Sequence, residues 1–172
     1  PQASLTTLWH VGTGLPWGWR TGPSNSSVRH HLRELLDWLP ESSLITADAG
    51  YIGYDLCRTV TNAGHDFLLR VGGNAKPLKN LGWAREYANR VYLWPERAAK
   101  RHTEPVVLRL VVARGGKSPV YLVTSVLSKK RLSDAQVIEL YRRRWGIEVF
   151  YRSFKRTFGR HKLRSGSPEN AM

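Results

Sequence analysis

The stretch SLITADAGYIGYDLCRTVTNAGHDFLLRV, residues 43–71, decides the fold. Its two ends are short apolar runs of strand length. Ser43 to Ala47 delivers Asp48 at its C-terminal end, and Asp66 to Val71 (DFLLRV) forms the second run. Between them Ala49-Gly50-Tyr51 turns the chain, and Ile52 to Ala63 has the spacing of a helix closed by Gly64. Strand, helix, strand predicts a parallel unit and hence an α/β fold. The C-terminal end of a strand, where Asp48 stands, is where open α/β sheets usually place their chemistry.

Working upstream, Leu5 to Val11 (LTTLWHV) and Leu15 to Arg20 (LPWGWR) predict a hairpin broken at Gly12-Thr13-Gly14. A Gly/Ser/Asn loop follows, and Val28 to Leu39 predicts a helix with Leu32, Leu35, Leu36 and Leu39 on one stripe and Pro40 beyond its end. Downstream, Gly72 to about Leu127 lacks helical period. Within it, Val106 to Ala113 and Pro119 to Val126 read as strands joined by a turn at Arg114-Gly115-Gly116-Lys117. Ser133 then caps a long helix from about Asp134 to Phe158, ended by Gly159. The expected organisation is a core over 1–72, a β-rich insertion over 73–127, and a returning helix with the start of a tail over 128–172.

Twenty-seven Lys and Arg against 13 Asp and Glu give the chain a net charge of +14. On a folded domain such an excess points to a polyanion, because neutralising phosphates releases counterions. The 41% hydrophobic content argues against disorder, and no apolar run is long enough to span a bilayer. A basic amphipathic helix with a broad apolar face is also absent, so nucleic acid is favoured over a membrane surface. The single cysteine, Cys57, can form no internal disulfide, which fits a reducing, cytoplasmic setting. The histidines show no metal-ligand spacing, and no Walker or dinucleotide pattern occurs.

The last helix carries YRRRWGIEVFYRSFK, residues 141–155. At about 100° per residue, Tyr141, Arg144, Glu148 and Lys155 fall within a stripe about 60° wide. Leu140, Ile147, Phe150, Phe154 and Phe158 take the adjacent, core-facing sector. Taken alone, the stripe fits an exposed ladder of ion pairs as well as it fits a site. Its border position, the positive surroundings of Glu148 and the presence of Asp48 favour a site.

Tyr141, Arg144, Glu148 and Lys155 resemble the Y-x2-R-x3-E-x6-K signature of the insertion-sequence-four family of DDE transposases. ITADAGY around Asp48 is similar to that family's second-aspartate segment, and YLVTS (121–125) to the end of its β insertion. The resemblance spans about Leu5 to Ser167. It implies a ribonuclease H-like core, a mixed sheet with flanking helices, carrying a β-rich insertion before the last catalytic helix. It also implies a metal-dependent polynucleotidyl transferase that cleaves and joins DNA at insertion-sequence ends. Asp48 and Glu148 would hold Mg²⁺, with Mn²⁺ as a substitute, since hard oxygen ligands suit both ions. Tyr141, Arg144 and Lys155 would hold DNA, as an Arg fork grips phosphate and Lys adds a point charge.

The partners implied are transposon ends and target DNA, bound by a dimer, in a bacterial, nucleoid-associated setting. Trp83, Trp94 and Trp145 are candidates to stack an extruded base, although each fits a core or lid position more readily. Asp55, Asp66 and Glu139 fit solvated or capping roles better than metal ligation. The family implies three carboxylates, yet no Asp or Glu precedes Glu34, which lies within a helix. The first aspartate and its strand are expected upstream of Pro1. Two alternatives follow: a truncated, inactive DNA-binding remnant, or a ribonuclease H-like nuclease that hydrolyses without strand transfer.

Overall fold

A computed structural model describes residues 3–71, 83–95, 102–116 and 118–158. Strands β1 (Ala3–His10) and β2 (Leu15–Pro23) form an antiparallel hairpin that stands as its own two-stranded sheet. Helix α1 (Val28–Leu35) runs into a 3₁₀ turn over Leu36–Trp38. Strand β3 (Leu44–Ala47) is followed by a 3₁₀ turn at Ala49–Tyr51, helix α2 (Tyr54–Asn62) and strand β4 (Asp66–Val71). Strands β5 (Trp83–Tyr87), β6 (Arg90–Trp94), β7 (Val106–Ala113) and β8 (Val120–Thr124) precede helices α3 (Asp134–Arg143) and α4 (Trp145–Phe158).

The second sheet has six strands in the order β3-β4-β8-β7-β6-β5. Only β3 and β4 run parallel, Leu44 opposite Asp66 and Ala47 opposite Leu69; the other neighbours are antiparallel. The expected parallel unit is therefore present, and the sheet around it is mixed. The two strands anticipated downstream are β7 and β8, and β8 pairs directly with β4. The β5–β6 hairpin went unread in the sequence because its alternation is short and interrupted by charge. It turns through Ala88 and Asn89, both at positive φ, without a glycine. The boundary expected at 72/73 and the helix end at Gly159 lie outside the described residues.

Strand β4 explains why this region reads as apolar without alternation: it is central and covered on both faces. Phe67, Leu69 and Val71 point into one core with Leu32 and Leu36 near α1 and Ile52, Leu56, Cys57 and Val60 around α2. Leu68, 0% exposed, points into the other core with Leu122, Leu132 and Val137 beneath α3. The result is three layers: α1 and α2, the sheet, then α3.

A buried cation joins the last two layers. Arg109, inside the apolar run of β7, is 3% exposed. Its guanidinium donates from Nε to the Val126 carbonyl at 3.1 Å and from Nη2 to the Leu132 carbonyl at 2.6 Å. Its Nη1 pairs with Asp134 Oδ1 at 2.8 Å. One side chain thus fixes the loop between β8 and α3, just before the Ser133–Gln136 capping box. That loop sets where α3 starts, and so where the residues on α3 and α4 arrive.

The long helix expected over 134–158 is instead two helices meeting at Arg144. Arg144 keeps right-handed angles (φ −52°, ψ −27°), but the Ile147 amide bonds the Arg144 carbonyl three residues back, at 3.1 Å. This is a tightened, 3₁₀-like turn. Beside it the Trp9 indole of β1 lies so close to Gly146 that a Cβ there would stand 3.1 Å from Trp9 Nε1. Sequence periodicity carried across the turn loses its phase, which matters for residues beyond it.

Two outcomes are expected. Replacing Arg109 with Leu strands two buried carbonyls and leaves Asp134 paired with Lys129 alone, and should lower unfolding free energy by about 3 kcal/mol in urea titrations. Cys57 is 1% exposed, and burial, the foremost cause, pushes its thiol up to about 12. It should therefore resist alkylation in the native protein at neutral pH and react once unfolded, as read by mass spectrometry.

Candidate active site

Strand β3 ends at Ala47, and Asp48 stands exposed at its tip. The Asp48 carboxylate accepts a hydrogen bond from the Gly50 amide at 3.2 Å and so caps the 3₁₀ turn that follows. Arg29 Nε holds the same turn from α1 by donating to the Gly50 carbonyl at 3.2 Å. The aspartate is thus set by backbone geometry, with one oxygen engaged and its face open.

Beside Asp48 is a groove of about 540 Å³ between the hairpin and the six-stranded sheet. One wall is β1 and its turn, Thr6 to Gly12; the other is Ser43 to Asp48 along β3. Among the described residues each of these strands has a single strand neighbour, β2 for β1 and β4 for β3, so the groove runs between two edges that no described strand pairs. Helix α4 crosses it, contributing Ile147, Glu148 and Tyr151, with Arg144 at the helix junction. Three contacts hold α4 against the hairpin: Trp9 on Phe150 with ring centroids 5.2 Å apart, Trp9 on Gly146, and the Tyr151 hydroxyl donating to the Leu5 carbonyl at 3.5 Å.

Asp48 and Glu148, a hundred positions apart in sequence, therefore face one groove. Arg144 lies with them. Its Nη2 pairs with Glu148 Oε1 at 2.6 Å, and its guanidinium lies 5.1 Å from the Tyr141 ring centroid. The Arg144 side chain is 14% exposed, against 36% for Glu148. Burial, the largest influence on Arg144, lowers its pKa. The Glu148 bond, Tyr141 and the charges of Glu148 and Asp48 outweigh it, so the net shift is upward. This guanidinium stays charged at any working pH. Two buried polar atoms at the junction have no hydrogen-bond partner among the described residues, Arg144 Nε and the Tyr141 hydroxyl.

Lys155 takes a different position. It is exposed on α4 and does not line the groove: seven residues past Glu148 it keeps nearly the same helix face but stands about 10 Å farther along the axis. Phe154, assigned to the core sector by helical periodicity, is 40% exposed. Trp145 is 54% exposed beside the junction, Trp94 stacks near Tyr92 at 6.3 Å in β6, and the side chain of Trp83 lies outside the described residues.

The other carboxylates considered are engaged elsewhere. Asp66 begins β4, opposite Leu44, and so lies about 13 Å along the strands from Asp48. It accepts from Ser125 Oγ at 2.7 Å and pairs with Arg131 at 3.1 Å, in a separate polar cleft of about 510 Å³. Glu139 pairs with Arg143 at 3.0 Å, and Asp55 sits in the first turn of α2. Among the described residues no three His, Cys, Asp or Glu side chains cluster as a metal site.

Sequence reasoning passed over the support beneath the groove. Thr6 Oγ1 bonds His31 Nδ1 at 3.0 Å, both residues buried, tying β1 to α1. The Tyr51 phenol nearby has its pKa pushed up to about 12, by burial first, then by Tyr151 and Asp48, with Thr6 acting in the opposite direction. Tyr51 and Tyr151 both line the groove. The adjacent His30-His31 pair offered no metal spacing, and nothing in sequence links Thr6 to a residue 25 positions away.

Comparison with known proteins adds to this geometry. Residues 2–172 match the family described as the transposase DDE domain. The chain is 26% identical over 178 residues to the transposase InsG for insertion sequence element IS4 from Escherichia coli K12. That match covers 98% of this chain and 40% of the relative, so the chain spans less than half of the relative's length. No solved structure matches it.

If the Arg144–Glu148 pair is a partly exposed bond and not a keystone of the fold, Glu148→Gln should change stability by no more than about 1 kcal/mol. Thermal or urea denaturation checks this, and it separates loss of function in that variant from loss of structure. With a carboxylate at a strand end and another on a helix sharing one groove, and a family match along nearly its whole length, the chain belongs to the transposase DDE domain family, of the type represented by insertion sequence IS4.

Proposed function

We propose that this chain is the catalytic core of a DNA transposase, cleaving and joining phosphodiester bonds at insertion-sequence ends. The observation that carries the reading is Asp48 and Glu148 lining one groove beside the cation Arg144, on a chain of net charge +14. Within this reading the ribonuclease H-like core comprises 1–72 and the helices after 128, and 73–127 is the insertion.

The donor set fits a hard divalent cation. Both candidate ligands are carboxylates, and Mg²⁺ is commonly held by one or two carboxylates together with waters and substrate phosphate oxygens. Asp48 and Glu148 are the ligands we assign to Mg²⁺, or Mn²⁺ in its place. Bound there, the metal would activate an oxygen nucleophile and stabilise the leaving oxygen. The protein's own contribution is positional. The Gly50 amide fixes Asp48, the Arg109 clamp and Ser133 cap fix the start of α3, and Trp9 against Gly146 seats the helix that carries Glu148. Arg144 and Tyr141 carry unpartnered polar atoms suited to phosphate oxygens, and Lys155 extends the positive surface along α4.

Family resemblance implies a third carboxylate. The groove between the free edges of β1 and β3 suits one further strand from elsewhere in a longer protein, hydrogen-bonded on both sides and packed on Leu8, Ile45 and Ile147. An acidic residue on such a strand would stand beside Asp48. On this reading the segment alone holds metal weakly, and a longer chain supplies full Mg²⁺-dependent activity.

The test is cleavage and joining of end-labelled transposon-end DNA, using the segment and a version extended at its N-terminus. The extended protein should nick and join in Mg²⁺. Asp48→Asn and Glu148→Gln should each lose more than roughly a hundredfold in rate, beyond what outer-shell changes usually cost. Hydrolysis without joined product would point to a nuclease, and equal activity of the two lengths would remove the need for another strand. DNA affinity should fall steeply with salt, in proportion to the phosphates neutralised.

A further inference from the structure

The cation at this site is already paired with the carboxylate that the proposed function assigns to metal. Arg144 gives Glu148 its shortest contact, 2.6 Å, while its own Nε is buried without a partner and the neighbouring Tyr141 hydroxyl is likewise unpartnered. A half-buried guanidinium with five donors, one of them buried and unpartnered, is poorly used by its bond to Glu148. A buried donor left without an acceptor is costly, so the arrangement favours any state that satisfies it. A phosphate would do so, offering several acceptor oxygens in a geometry that the planar fork matches.

We infer that Arg144 is a positioning residue that holds Glu148 in the free protein and exchanges it for a DNA phosphate, so that phosphate binding and divalent-cation binding at this groove are thermodynamically coupled. The inference rests on the transposase reading for the identity of both ligands. The exchange conserves charge pairing: the guanidinium passes from a carboxylate to a phosphate oxygen, and the carboxylate passes from a guanidinium to a divalent cation. Without DNA, a cation approaching Glu148 must displace a partly buried ion pair and meets the positive charge of Arg144. With DNA, the guanidinium is engaged by an anion and Glu148 turns free toward Asp48. Linkage requires the effect to be reciprocal, so cation binding must tighten DNA by the same factor. A core built this way takes up metal chiefly where DNA is present.

The experiment measures Mn²⁺ binding to the chain by electron paramagnetic resonance and calorimetry, with and without a saturating DNA duplex, with the DNA alone as blank. In the native protein DNA should tighten Mn²⁺ at least fivefold, and Mn²⁺ should tighten DNA by a matching factor. Arg144→Gln should bind Mn²⁺ more tightly than the native protein without DNA, and its coupling should fall below twofold. Arg142→Gln removes the same charge from an exposed neighbour and should leave the coupling intact. Arg144→Lys, which keeps the charge should Gln disturb the fold, should retain weak Mn²⁺ binding without DNA. The inference is overturned if Arg144→Gln keeps the native coupling, or if Arg142→Gln abolishes it equally. Mn²⁺ binding that is insensitive to Glu148→Gln, with and without DNA, would instead sink the metal assignment on which it rests.

Discussion

The arrangement depends on how one buried guanidinium, Arg109, fastens the loop between β8 and α3. A charge in an apolar strand is costly unless its donors are satisfied, and here three nitrogens meet two carbonyls and a carboxylate. These bonds connect the sheet to the segment that leads into α3 and α4. With the loop held and α3 capped at Ser133, the helix junction carrying Arg144 and Glu148 arrives above the end of β3 at a fixed height. The catalytic reading needs that placement, because Asp48 and Glu148 share no local structure.

A second constraint is the seating of α4 on the hairpin. Among the described residues the hairpin pairs with no other strand, so side chains set its position. Gly18 lets Leu35 at the end of α1 and Trp38 in the following 3₁₀ turn approach, and Gly22 lets His31 and Ser26 come close. On the opposite side Trp9 meets Gly146 and Phe150. Glycine at 146 lets the Trp9 indole sit close, since a Cβ there would crowd Trp9 Nε1 at 3.1 Å, and its φ plays no part. These contacts keep the two free strand edges apart as the walls of a groove. The same seating stands beside the tightened turn at Arg144, so the hairpin also bears on the orientation of Glu148 and its cation.

The site combines opposite electrostatic demands. Two carboxylates face one groove on a strongly basic chain, and Arg144 is held charged between them. Such a centre suits chemistry on a polyanion, where cations must be gathered and then released in order. The pairing of Arg144 with Glu148 satisfies both charges while neither ligand is present, at the expense of an unsatisfied Nε. Burial of that kind, outside any packing need, is typical of functional positions.

Local rules made much of this legible in sequence. Residues 43–71 read as strand, helix, strand because the apolar runs are short, the turn residues lie where the chain must turn, and Asp48 follows a strand directly. The Ser133 cap, the downstream β pair and the junction residues Tyr141, Arg144 and Glu148 were equally local. Tertiary structure alone decided what depends on distance. Periodicity assumes an unbroken helix, so it could not foresee the turn at Arg144, and a shared helix face does not say how far a groove extends, so it could not foresee that Lys155, about two turns past Glu148, lies beyond it. Charge counts could not show that Arg109 is buried, that Thr6 and His31 are joined, or that Asp66 is occupied by Arg131. Propensity and pattern act between neighbours in the chain, whereas a shared groove arises from packing between segments a hundred residues apart.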